Sequence, residues 1–145
     1  MSKRFSSEQS MKDDVEILRS AYEALNQGDI EGAIAALDED AEWTEHSDLP
    51  EAGVYRGREA IRAFLLHFLE SWQEFRQETE ELIAGESCVL IMLRSRQRGK
   101  GSGIDVEARY AHLWTMKDGR GVRVDAYFDR KEALRELRSR AAAQR

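Results

Sequence analysis

Three histidines, one cysteine and a set of acids and arginines are the residues of this chain that could do chemistry. His46, His67, His112 and Cys88 match no spacing used to ligate zinc, so no metal is expected. No Ser-His-Asp or Cys-His nucleophile can be argued from these spacings either. The run from Gly99 to Gly103 is glycine-rich but lacks the Walker spacing, and it joins two expected strands. A phosphate loop leads from a strand into a helix, so this run reads as a hairpin turn. What remains is Glu45, two residues after Trp43, then His112, and the arginines Arg94 and Arg96. A carboxylate beside a neutral imidazole can move a proton next to a carbonyl, and an inward Arg can hold an enolate or a carboxylate. Plainer readings stand beside these. His112 can be a core histidine bonded to a neighbour. Glu45 can be a solvated strand end. Arg94, Arg96 and Arg98 can form a salt-bridged strand edge. His46, on the face opposite Glu45, and His67, at the edge of its helix stripe, read as surface residues.

The elements that must position these groups follow from the hydrophobic period. Val15, Leu18, Tyr22 and Leu25 keep helical spacing, predicting a helix over 11–27 that Gly28 stops. Asp29 caps a short second helix carrying Ile30, Ala33, Ile34 and Leu37. Residues 41–46 alternate as a strand, and 47–56, with the only proline, read as a loop. Ile61, Phe64, Leu65, Phe68 and Trp72 form the strongest helical stripe. Four strands follow, over 75–84, 88–98, 104–116 and 122–128, joined by short turns and so antiparallel. Asp129, with Glu132 three residues on, opens a last helix.

Along the third of these strands Ile104, Val106, Ala108, Tyr110, His112, Trp114 and Met116 share a face, which must be the core face. Val122, Val124, Ala126 and Phe128 point inward on the next strand, with Arg123, Asp125 and Tyr127 outward. Residues 88–93 are apolar on both faces. Helices cover one side, and the outer face, with Leu113, is expected to meet a second subunit in a homodimer. The fold class is α+β, with helices on one side of a curved antiparallel sheet.

The chain has 145 residues, enough for one domain. That domain is expected over 11–138, between a flexible N-terminus (1–10) and a flexible C-terminal tail (139–145). With 22 Lys+Arg against 28 Asp+Glu the net charge is −6, which argues against nucleic acid as a partner. No apolar run approaches the ~20 residues of a membrane helix. The first ten residues hold no secretion signal, and a lone cysteine suits a reducing, cytoplasmic setting.

The segment from Tyr22 to Asp29 resembles the first helical hairpin of the nuclear transport factor 2-like superfamily, and 53–61 resembles its entry to the third helix. Residues 98–103, 111–119 and 127–134 are similar to its SnoaL-like branch. The resemblance covers roughly 12–138 and implies a cone-shaped, cystatin-like α+β barrel with a cavity between helices and sheet. Members include ketosteroid isomerase, limonene epoxide hydrolase, polyketide cyclases and proteins without known catalysis, so the fold does not choose the reaction. On the isomerase pattern the base falls on Glu45, the oxyanion tyrosine on Ala21 and the buried acid near His112, keeping one element of three. On the hydrolase pattern the middle strand offers Arg94-Ser95-Arg96 without its acid, and the last-strand Asp position holds Ala126.

The resemblance therefore implies a protein that holds a small apolar or carbonyl-containing ligand. It needs no cofactor, and cyclase-, isomerase- or hydratase-type proton transfer would fall to Glu45 and His112. Tyr22, Trp43, Tyr55, Phe64, Phe68, Tyr110, Trp114 and Phe128 would form the walls, with Arg94 and Arg96 as polar contacts. A non-catalytic binding protein and a structural dimerisation domain with a filled cone remain alternatives.

Overall fold

The computed structural model describes residues 3–48, 50 and 52–143. Positions 1–2 and 144–145 of the ends expected to be flexible, and 49 and 51 of the expected loop, lie outside the described residues. The element order is α1 (Lys3–Asn26), α2 (Ile30–Ile34), β1 (Leu37–His46), β2 (Gly53–Arg56), α3 (Arg58–Glu70), β3 (Trp72–Ala84), β4 (Cys88–Gly99), β5 (Asp105–Lys117), β6 (Arg120–Tyr127) and α4 (Arg130–Ala143). The strands form one sheet in the order β2-β1-β6-β5-β4-β3. All neighbours are antiparallel except β1 and β6. Register shifts in β3, β1 and β5 mark the bulges that bend it. This is the expected α+β architecture.

Local chemistry sets most boundaries. Gly28, at φ 78°, ends α1 in the left-handed region. Asp29 Oδ1 accepts from the Gly32 amide at 2.9 Å and starts α2. Asp118 and Gly119, at φ 52° and 76°, make the two-residue turn between β5 and β6. Asp129 Oδ1 accepts from the Lys131 amide at 2.9 Å and caps α4.

Several boundaries differ from the sequence reading: α1 begins at Lys3, inside the N-terminal stretch expected to be flexible, and α4 runs to Ala143, through most of the expected C-terminal tail. Gly53–Arg56 is a strand, because β1 offers a free edge and Trp43 pairs with Tyr55 across it. Leu37 leaves the α2 stripe to start β1, and Trp72 leaves the α3 stripe to start β3. Both kept helical spacing only because a buried face can continue across a change of element. Ile104 lies outside β5 and is 63% exposed, so the inward face of that strand begins at Val106.

The sheet buries both faces of its middle. Its concave side, with Val89, Ile91, Leu93, Trp114 and Val124, packs under Leu18, Ile34 and Ile61 of the first three helices. On the convex side, Cys88, Leu90, Met92, Ala111 and Leu113 pack against Ala133, Leu134 and Leu137 of α4. The apolar outer face that the sequence assigned to a second subunit is thus covered within the chain. A single C-terminal helix explains the double-sided hydrophobicity of β4. Residue 140 of the expected tail takes part, since Arg140 reaches Asp125 Oδ2 at 3.0 Å and Thr115 Oγ1 at 2.8 Å.

Candidate functional site

Between the concave face and the helices lies a cavity of about 430 Å³. That is within the range of small-molecule sites. Glu45 and His112 both line it, and they sit in one row across the sheet: Glu45 pairs with Ala126, and Ala126 with His112. Two strand spacings put their Cα atoms roughly 10 Å apart. The residue between them is the small Ala126, which leaves a floor where a ligand can sit between carboxylate and imidazole.

The state of His112 is fixed by its neighbours. Trp114 Nε1 donates to the Tyr22 hydroxyl oxygen at 2.8 Å, and that hydroxyl lies 2.6 Å from His112 Nδ1. An indole N–H can only donate, so the tyrosine oxygen accepts from it, and among the described hydrogen bonds Nδ1 is the one acceptor within reach of the buried phenolic proton. The imidazole then carries its hydrogen on Nε2. Burial pulls the His112 pKa down to about 3, so the ring is neutral, and burial raises that of Tyr22, so the hydroxyl keeps its proton. His112 therefore presents a neutral N–H donor at Nε2, on a ring that lines the cavity. Gly121 makes room for this arrangement, since a Cβ there would overlap the Trp114 ring.

Trp43 ties the two polar groups together. Its Nε1 donates to Glu45 Oε1 at 2.8 Å, and its ring meets that of His112 edge-on at 5.0 Å. Phe64, Phe68, Tyr110 and Trp114 line the cavity. Phe128 lines it at the rim and is 53% exposed, one residue beyond β6. Tyr55 is not among the lining residues; its ring packs against that of Phe64, tilted, at 4.3 Å between centroids.

Arg94 and Arg96 are not in the cavity. They stand on the convex face, Arg94 with Glu78 at 3.4 Å and both with Glu107. Strand alternation requires this once Leu90 and Met92 face α4. The inward residues of the same stretch are Ser95 and Gln97, which the sequence reading passed over. With them comes Gln77 of β3, 6% exposed. Asn26 of α1 holds its backbone through two hydrogen bonds of 2.8 Å. Gln77 Nε2 donates to the Tyr110 hydroxyl, and Ser95 Oγ donates to Gln97 Oε1 at 2.6 Å. The signal for all three was available in the parity of β4 and β3 relative to Val89, Ile91 and Leu93. Among the described lining residues Glu45 is the one side chain that carries charge, His112 being neutral.

His46, expected at the surface, donates from Nε2 to Asp125 Oδ1 at 2.8 Å and stacks on Tyr127 at 4.4 Å. Asp125 points outward but is fully buried beneath α4, where Arg123 and Arg140 also meet it at 2.9 and 3.0 Å. His67 is exposed.

A bent sheet closed by three helices over a hollow defines the class: a nuclear transport factor 2-like cone. Within it, a model of the SnoaL-like domain matches residues 18–124, and the chain belongs to that family. A solved NTF2-like protein of unknown function from Burkholderia pseudomallei is 26% identical, over 85% of this chain and 95% of that one, at a TM-score of 0.73. TerC, crystallised with polyporic acid, is 25% identical over 86% of this chain and 97% of that one, also at 0.73. A cystatin-fold protein from Novosphingobium aromaticivorans shares the fold at 16% identity, over 78% and 96% of the two chains, at 0.68. Comparison with curated proteins finds no match. No helix among the described residues is long and apolar enough to cross a membrane.

Proposed function

We propose that this protein binds a small apolar carbonyl compound in the cone and moves a proton beside the carbonyl without a cofactor. Glu45 takes a proton from the carbon next to the carbonyl. The C–H electron pair becomes a C=C bond, and the carbonyl oxygen becomes an enolate oxygen, held by the His112 Nε2–H. Return of the proton to the same or a conjugated carbon completes an exchange or an isomerisation. His112 acts as a donor that stays neutral, not as a second proton carrier. The observation that carries this reading is the Trp114–Tyr22–His112 chain, which aims one defined donor into an apolar cavity in the same row as a carboxylate. A buried donor placed where charge develops is worth more than one in water. TerC's crystallisation with polyporic acid supports small-molecule occupancy of this fold.

The test needs no native substrate. In D₂O, α-tetralone should exchange the hydrogens next to its carbonyl faster with the protein than without, as read by proton NMR. Glu45→Gln and His112→Phe should each lower that rate by about 10²-fold or more. Equal rates in wild type and both folded variants would remove the catalytic reading. Binding without exchange would leave a ligand-binding protein, the reading that the largely apolar lining favours on its own.

A further inference from the structure

The proton-transfer reading uses one end of the cavity's polar wall and leaves Gln77 unexplained. Gln77 lines the cavity, is 6% exposed, and has its backbone pinned to α1 through Asn26, which holds its segment of β3 at the wall. Nε2 donates to the Tyr110 hydroxyl, while Oε1 is buried with no hydrogen-bond partner. An orphaned buried acceptor is costly, by about 1–3 kcal/mol. Turning the amide end for end only exchanges an orphaned acceptor for an orphaned donor. Tyr110 lies 5.4 Å, ring to ring, from His112, so this amide stands one side chain beyond the imidazole.

We infer that the Gln77 amide is a second polar subsite, and that the ligand of this cavity is an uncharged hydroxy-carbonyl compound. Its carbonyl lies at His112 and its hydroxyl completes the Gln77 amide. This rests on the placement of the carbonyl given above. A hydroxyl both donates and accepts, so it satisfies the amide in either orientation. Oε1 is closed off from solvent here, so the subsite forms by rotation about the soft last torsion of the glutamine as the hydroxyl enters. A carboxylate in place of the hydroxyl would meet no cation, since the one charged lining group among the described residues is Glu45.

The experiment is a calorimetric titration of wild-type protein with α-tetralone and with its isomers carrying one hydroxyl on the aromatic ring. At least one isomer should bind about tenfold more tightly than the parent, close to 1.4 kcal/mol. In Gln77→Leu and Gln77→Met, each checked for folding by circular dichroism, that isomer and the parent should bind equally. A hydroxyl that adds nothing in any isomer, a preference that survives both variants, or no binding by any of these ketones would overturn the inference. Deuterium exchange that ignores Glu45 and His112 would instead sink the catalytic reading, and a Gln77-dependent hydroxyl preference would survive that result.

Discussion

At the scale of single residues, one hydroxyl decides what His112 can do. Tyr22 is the link that turns a donor-only indole into a fixed imidazole tautomer. Tyr22→Phe keeps the ring and its packing but frees Nδ1. The nitrogen-15 shifts of His112 should then change from a pure Nε2–H form to a mixture. Deuterium exchange of α-tetralone should fall about tenfold in kcat with KM little changed, as for a donor used mainly in the transition state. An unaltered tautomer in this variant would mean that the tyrosine does not set it. Much of this pair was legible in the sequence, because alternation in β5 forces His112 and Trp114 onto one face. The identity of their partner was not. Tyr22 is 90 positions from His112, and no local period links them.

Among the elements, α4 is the one whose role the sequence understated. Its apolar residues are few, and its docking also depends on a buried ion cluster at Asp125. Burial pushes the Asp125 carboxyl up, but hydrogen bonds from His46, Arg123 and Arg140 more than offset this and leave it below the ordinary carboxylate range. A carboxyl whose pKa is lower folded than unfolded adds stability above its unfolded value of about 3.9, and loses it as the pH falls through the folded value. Asp125→Asn should therefore destabilise the protein at pH 7, by about 3 kcal/mol if the arginines are left unpaired. Its deficit against wild type should shrink in thermal melts taken below about pH 4. A deficit that is constant from pH 7 down to pH 3 would show that the carboxylate's charge does not hold α4. The strand alternation did place Asp125 outward. It could not show that outward here means beneath a helix.

For the molecule as a whole, charge and cavity act together. The chain carries a net charge of −6, and a depression lined by Glu45, Asp48, Asp129 and Glu132 adjoins the cavity. No lysine or arginine lines the cavity among the described residues. A carboxy-substituted α-tetralone should therefore bind at least tenfold more weakly than α-tetralone at low salt, and the gap should narrow at about 0.5 M salt as the surface part of the repulsion is screened. Equal affinities at low salt would show that the field does not select. The placement of Arg94 and Arg96 is what decides this. Turned inward they would have made an anion site; turned outward they join a surface ladder with Glu78 and Glu107.

By itself the sequence determined the order of helices and long strands, the inward row of β5, the caps at Asp29 and Asp129, and the family to which these belong. Periodicity, capping and turn chemistry act over a few residues, so they are written locally. Only the tertiary structure decided that β2 pairs with β1, that α4 covers the convex face, that Ala126 opens a gap between Glu45 and His112, and that Gln77 holds an unmet hydrogen bond. Each of these depends on which distant segments become neighbours, and a bent sheet sets that through register across strands that no single stretch of chain encodes.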